Sequence, residues 1–227
     1  MTFEPDRVST ITFDSYSTIV DVDAAEDALA ARVPDPEPVA TLWRARSLEY
    51  TFVANHIDAY QPFYEMNRDA LQYALDAHDV DLETAERDDI LAVYHELDVF
   101  DDVREGLERL REGGFDCFVV SNGNPTMLAS MVDHAGIGDL IEDTISADEI
   151  RTFKPDPALY RHAADRTGAE VEAIVHVSAA WFDVMGAKHA GMQGVWVDRG
   201  GAPWDPFDGD PDLVVESFFE LADALGV

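Results

Sequence analysis

Ile11-Thr12-Phe13-Asp14-Ser15-Tyr16-Ser17-Thr18 is an apolar run that stops on an aspartate and passes at once into small polar residues. A strand ending this way delivers a carboxylate to the carboxyl edge of a sheet, where open α/β sheets place their chemistry. Val119-Val120-Ser121-Asn122-Gly123 and Val177-Ser178-Ala179-Ala180-Trp181-Phe182-Asp183 end in the same manner, and Phe153-Lys154-Pro155-Asp156-Pro157 lies between them. Together these segments offer a nucleophilic Asp, a Ser/Asn pair, a Lys and a second Asp.

Outward from the first strand, residues 22 to 97 lack runs of β-branched residues. They carry helical periodicity instead, as in Leu42, Ala45, Leu48, Phe52 and in Leu71, Leu75. Pro34, Pro36 and Pro38 punctuate this block, so one helix is expected to end near Arg32 and the next to begin near Val39. From Asp101 the pattern changes. Asp101 or Asp102 can cap a helix over 103–112, Gly113-Gly114 ends it, and 115–120 reads as a buried strand. Helices are then expected over 125–134, after Pro157, over 183–190 and over 218–225. The strands fall near Thr144 and over 173–177, 195–197 and 213–215, and the stretch from Gly200 to Asp212 reads as a mobile loop. Such alternation implies a doubly wound α/β core with a parallel sheet, built from 1–20 and 98–227, with a helical insert over 21–97.

Composition bounds the function. The 227 residues are 47% apolar, with 47 acidic against 15 basic side chains and a net charge of −32. Only Lys154 and Lys188 are lysines. So dense a negative surface suits molar salt, where the screening length falls to about 3 Å, and points to a halophilic source. No basic stripe exists to neutralise phosphates, so nucleic acid is not expected as a partner. No apolar stretch reaches about 18 residues, so no membrane role is expected. The N-terminus carries no basic region followed by an apolar segment, and a cytoplasmic location is expected. Cys117 is alone and reads as a buried strand thiol.

Each segment also has a plain structural reading. Asp14 could cap a helix, Ser121-Asn122-Gly123 is a common turn, Arg44 could be a surface salt bridge, and Phe63 or Trp181 could be core. Their joint order is what carries weight. Taken together, the four segments resemble the haloacid dehalogenase superfamily, and most closely its L-2-haloacid dehalogenases. The resemblance implies a Rossmann-like doubly wound core with a helical cap domain over the strand ends. It implies an enzyme that hydrolyses short L-2-haloalkanoates to 2-hydroxyalkanoates without a cofactor or metal.

By that resemblance Asp14 attacks the α-carbon and forms an ester, Lys154 holds Asp14 ionised, and Asp183 positions the hydrolytic water with Ser178. Thr18 and Ser121 orient Asp14 or bind the substrate carboxylate, as do backbone amides near Ser15 and Tyr16. Tyr160 accompanies the Lys154 segment. Arg44, in Leu42-Trp43-Arg44, matches the residue that binds the departing halide, with Asn122, Phe63 and Trp181 around it. Tyr16 stands where phosphatases of the superfamily usually carry an acidic residue, and Ser178 replaces the additional Asp of magnesium-dependent relatives. Two departures stand out. Ala180 occupies the family's usual asparagine position, which makes ester hydrolysis the step expected to limit turnover, and Ser17 stands where Gly is usual. Two other readings stay open: a magnesium-dependent phosphatase, and a weakly catalytic regulatory protein. The expected partner is a small halocarboxylate, with a homodimer compatible with the resemblance.

Overall fold

The computed structural model describes residues 3–227. Six strands form one parallel sheet in the order β3-β2-β1-β4-β5-β6. They are β1 Thr10–Phe13, β2 Asp116–Ser121, β3 Asp143–Ser146, β4 Ile174–Ser178, β5 Gln193–Val197 and β6 Leu213–Val215. In chain order the helices are α1 Ala24–Ala30, α2 Pro36–Ile57, α3 Phe63–Ala77, α4 Thr84–Ala92, α5 Val103–Glu112, α6 Pro125–Ala135, α7 Pro157–Thr167, α8 Trp181–Ala190 and α9 Phe218–Ala224. No strand lies between β1 and β2, as the helical periodicity of that block requires.

Strand alternation sorts β1 between two faces. Phe13 points to one side and stacks on Phe218 of α9, with ring centroids 4.8 Å apart. Gly106 of α5 allows α9 this close, because a Cβ there would come within 2.4 Å of the Phe218 Cβ. Thr12 points to the opposite side, beside His176 of β4, its partner in the strand register. Helices on both faces leave β1 and β4 buried along their whole length, and each fully buried Ile, Val or Phe contributes about 1.5–3 kcal/mol. Lys188 is also drawn inward, its ammonium 2.9 Å from Asp212 Oδ1.

Two local expectations change. Helix α2 begins at Pro36 rather than near Val39, because first-turn amides have no intrahelical acceptor and proline forfeits nothing there. Asp102 precedes α5 but caps nothing. Its carboxylate instead accepts from Arg199 at 2.7 Å and from the Phe218 amide at 2.6 Å, tying the last helix to the core.

Helices α2 and α3 pack together over the carboxyl edge. Trp43, fully buried, donates from Nε1 to the Asn67 carbonyl at 2.8 Å, and Ser47 donates to Asn67 Oδ1 at 2.8 Å. Asn55 then joins α2 to the segment carrying Lys154, accepting from the Phe153 amide at 2.9 Å and donating to its carbonyl at 2.7 Å. Among the described residues, no helix is long and apolar enough to cross a membrane.

Candidate active site

Strand β1 ends at Phe13, and the Asp14 amide still donates to the Val177 carbonyl at 2.9 Å, so its carboxylate leaves the sheet from a fixed backbone. The chain then turns back sharply, with the Ser15 carbonyl accepting from the amides of Ile19 and Val20. Ser17 takes φ +63° in this turn, a left-handed conformation that glycine adopts freely and that costs serine about 1–2 kcal/mol. Thr18 is buried behind the nucleophile position. It donates to Asp14 Oδ2 at 3.3 Å and accepts from the Ala179 amide at 2.9 Å.

The Lys154 ammonium lies between the two carboxylates, 2.6 Å from Asp14 Oδ1 and 2.7 Å from Asp183 Oδ2. Its backbone is fixed by its amide donating to Asn122 Oδ1 at 2.9 Å, which leaves the amide nitrogen of Asn122 for the pocket. Burial disfavours the charge on Lys154, but Asp14 and Asp183 outweigh it and raise its pKa above the ordinary lysine value. Burial also acts on Asp183, yet His176 and Lys154 pull its carboxyl below the usual range. Tyr160 donates to Asp183 Oδ1 at 2.6 Å. For Asp14, burial wins over the pull of Lys154 and raises the pKa above that of a free carboxylate.

Above this centre lies a cavity of about 250 Å³, enough for a small acid. Of the expected site residues, Asp14, Tyr16, Arg44, Phe63, Ser121, Asn122, Lys154 and Asp183 line it. Burial pushes the Tyr16 hydroxyl above its ordinary pKa, so it stays protonated, and it has no hydrogen-bond partner among the described residues. Among the described residues Arg44 pairs with Glu26 through Nη2 at 3.9 Å, and Nη1 is buried without a hydrogen-bond partner. A salt bridge this long leaves the guanidinium available to an anion.

Five expected residues stand back from the cavity. Ser15 shares a 2.6 Å hydrogen bond with Ser121 in the floor. Thr18 and Tyr160 reach the carboxylates from behind. Ser178 accepts from the Ala180 amide at 3.1 Å, bracing the turn into α8 rather than facing the cavity. Trp181 is displaced outward: it lines a separate apolar hollow with Phe52, Asn55 and Pro155, and Phe182 takes the place beside Asp183.

Sequence reading missed four polar residues. Ser47, Asn67 and Tyr94 line the upper part of the cavity from helix or helix-end positions whose facing depends on how the helical block docks. His176 sits mid-strand, fully buried, with Nε2 3.0 Å from Asp183 Oδ2. Its signal was a titratable residue interrupting the apolar run 174–177.

Residues 8–191 match the model of the haloacid dehalogenase-like hydrolase family. The chain is 31% identical over 199 residues to (S)-2-haloacid dehalogenase 4A of Burkholderia cepacia, covering 87% of this chain and 86% of the relative. It is 30% identical over 213 residues to the (S)-2-haloacid dehalogenase of Pseudomonas sp. strain YL, covering 93% and 92%. In structure it is similar to the L-2-haloacid dehalogenase of Xanthobacter autotrophicus with chloropropionic acid covalently bound, at TM-score 0.90 and 27% identity, over 96% of this chain and 98% of that one. A strand-end aspartate, a lysine shared between two carboxylates and a match spanning most of the chain lead to one assignment: this chain belongs to the haloacid dehalogenase-like hydrolase family.

Proposed function

We propose that the protein is an (S)-2-haloacid dehalogenase, hydrolysing short L-2-haloalkanoates to 2-hydroxyalkanoates. The observation that carries the reading is Asp14 at a strand end, bound to an ammonium that also binds Asp183, in a cavity whose cap side presents an arginine. One Asp14 oxygen displaces halide from the α-carbon, giving an aspartyl ester and a halide ion received by Arg44 and the Asn122 amide. Phe63 and Phe182 enclose the alkyl chain. Ser121 and the amides following Asp14 hold the substrate carboxylate. Water then attacks the Asp14 carbonyl carbon, with Asp183 taking one proton as Lys154 neutralises the developing charge. As the ester C–O bond breaks, the second proton passes to the departing alkoxide oxygen to give the alcohol, the water oxygen stays in the regenerated Asp14 carboxylate, and Asp183 releases its proton to solvent.

The donor set favours this reaction over magnesium-dependent phosphate transfer. Tyr16 replaces the acid that a leaving alkoxide would need, and the Lys154 ammonium already occupies the space between Asp14 and Asp183. We assign the chain two units, a core of 1–20 with 98–227 and a cap of 21–97, with the substrate enclosed between them. The net charge of −32 supports a halophilic protein working in a salt-rich cytoplasm, with neither nucleic acid nor a membrane as partner. Family resemblance makes a homodimer the assembly to test by light scattering.

The test is chloride release from both enantiomers of 2-chloropropionate in molar sodium sulfate, with and without chelator. Turnover of the L enantiomer, unchanged by chelator, is expected. Chelator-sensitive, magnesium-restored hydrolysis of a generic phosphate ester instead would replace this reading with the phosphatase one.

A further inference from the structure

His176 is a titratable side chain set in the middle of a buried strand. Register places it beside Thr12, with Nδ1 2.9 Å from Thr12 Oγ1 and Nε2 3.0 Å from Asp183 Oδ2. The Tyr160 ring packs edge-on against it at 5.4 Å. The groups facing the imidazole are therefore Thr12 from β1, Tyr160 from α7 and Asp183 from α8, with Lys154 and Asp14 beyond Asp183.

Proton accounting ties the nitrogen facing Asp183 to the Thr12 hydroxyl. Thr12 has a single hydroxyl proton, which can go to the Val175 carbonyl at 3.3 Å or to His176 Nδ1. If it goes to Nδ1, the neutral ring carries its proton on Nε2. If it goes to Val175, Nδ1 must donate to Thr12. In that case Nε2 carries a proton only if the ring is an imidazolium. The first arrangement puts an N–H on the nitrogen facing Asp183 with the ring neutral. The approach lies off the N–H axis, so the attraction is mainly electrostatic.

The same carboxylate accepts from Tyr160 on Oδ1 and from Lys154 on Oδ2, and no side-chain amide from the turn after Ser178 joins them. Where the family usually has asparagine, Ala180 presents only a methyl group to the cavity. We propose that His176, seated on Thr12, is a positioning residue that holds Asp183 for ester hydrolysis, in place of the amide missing at position 180. The proposal rests on the dehalogenase reading. It replaces the expectation from Ala180 that hydrolysis limits turnover: with His176 present, hydrolysis should keep pace with displacement in the wild-type protein, without build-up of ester.

The experiment follows chloride by rapid quench, and the Asp14 ester by intact mass, after mixing with L-2-chloropropionate. His176→Phe should release one equivalent of chloride per site at the wild-type rate and then turn over more slowly by roughly 10-fold or more, with ester building up on Asp14. The acid limb of its hydrolysis step should move to higher pH. His176→Gln, which keeps an N–H, should restore hydrolysis to within about 3-fold of wild type, and adding Ala180→Asn to His176→Phe should likewise rescue it. Should His176→Phe fail to fold, Thr12→Val removes the seat of the ring at nearly constant volume and should slow hydrolysis alone. Equal slowing of both steps, an unmoved pH profile, or His176→Gln as slow as His176→Phe overturns the role of His176. A wild-type protein that releases no chloride from either enantiomer rejects the dehalogenase reading itself.

Discussion

At Asp14 two requirements oppose each other, because a nucleophile must be ionised yet shielded from water. Burial raises its pKa while Asp183 is held low, so the two half-reactions should fail at different pH. On acidification Asp14 takes up a proton first, at a pH above the ordinary carboxylate pKa of about 3.9, and displacement stops there. Preformed ester should still hydrolyse at that pH, because Asp183 remains ionised; a pH-jump quench that finds both steps lost together contradicts this ordering. Asp14→Asn should give no chloride even in a single turnover, since a neutral amide cannot perform the displacement. Arg44→Lys should cost roughly 10–100-fold in kcat/KM, about 1.4 kcal/mol for each factor of ten, because an ammonium cannot present the planar fork to halide. Asp14, Lys154 and Asp183 were legible in the chain because strand ends and an adjacent proline mark them. His176 was not, because a residue inside an apolar run reads as core until its register partner is known.

Elements were read well in kind and less well in phase. The strands lie near where they are expected: β1, β2, β4 and β5 fall on largely apolar runs, as buried parallel strands require, while β3, Asp-Thr-Ile-Ser, takes its place from the alternation of strands and helices. Phase differs at α8, which starts two residues earlier than expected, while Trp181, placed by resemblance rather than by phase, lines the outer hollow. It was also beyond reach for Ser47, Asn67 and Tyr94, whose inward facing depends on docking between helices rather than on spacing. Helix α8 itself sits against the lysine segment through Gly186, where a Cβ would fall 2.7 Å from both the Pro155 carbonyl and the Tyr160 hydroxyl. Gly186→Ala should therefore push α8 away from that corner. It should destabilise the fold by about 1–3 kcal/mol and lower kcat, because Asp183 moves with the helix, as calorimetry and steady-state assays will register.

For the molecule as a whole, 47 acidic side chains face 15 basic ones, and self-repulsion opposes the compact state wherever salt is dilute. The melting temperature should rise by roughly 10 °C or more between 0.05 M and 3 M KCl, equivalent to about 3–5 kcal/mol for a chain of this length. An unchanged cooperative transition in dilute buffer would remove the halophilic reading. The two lysines add a separate consequence. Lys154 and Lys188 are both engaged with carboxylates, their side chains 3% and 14% exposed, so the folded surface offers acylating reagents almost no lysine ammonium groups. Reagents aimed at amines would leave both lysine side chains of the native protein nearly unmarked and would tag Lys154 only once the sheet opens. The mass added at that one side chain is then a built-in gauge of unfolding, readable without any engineered label.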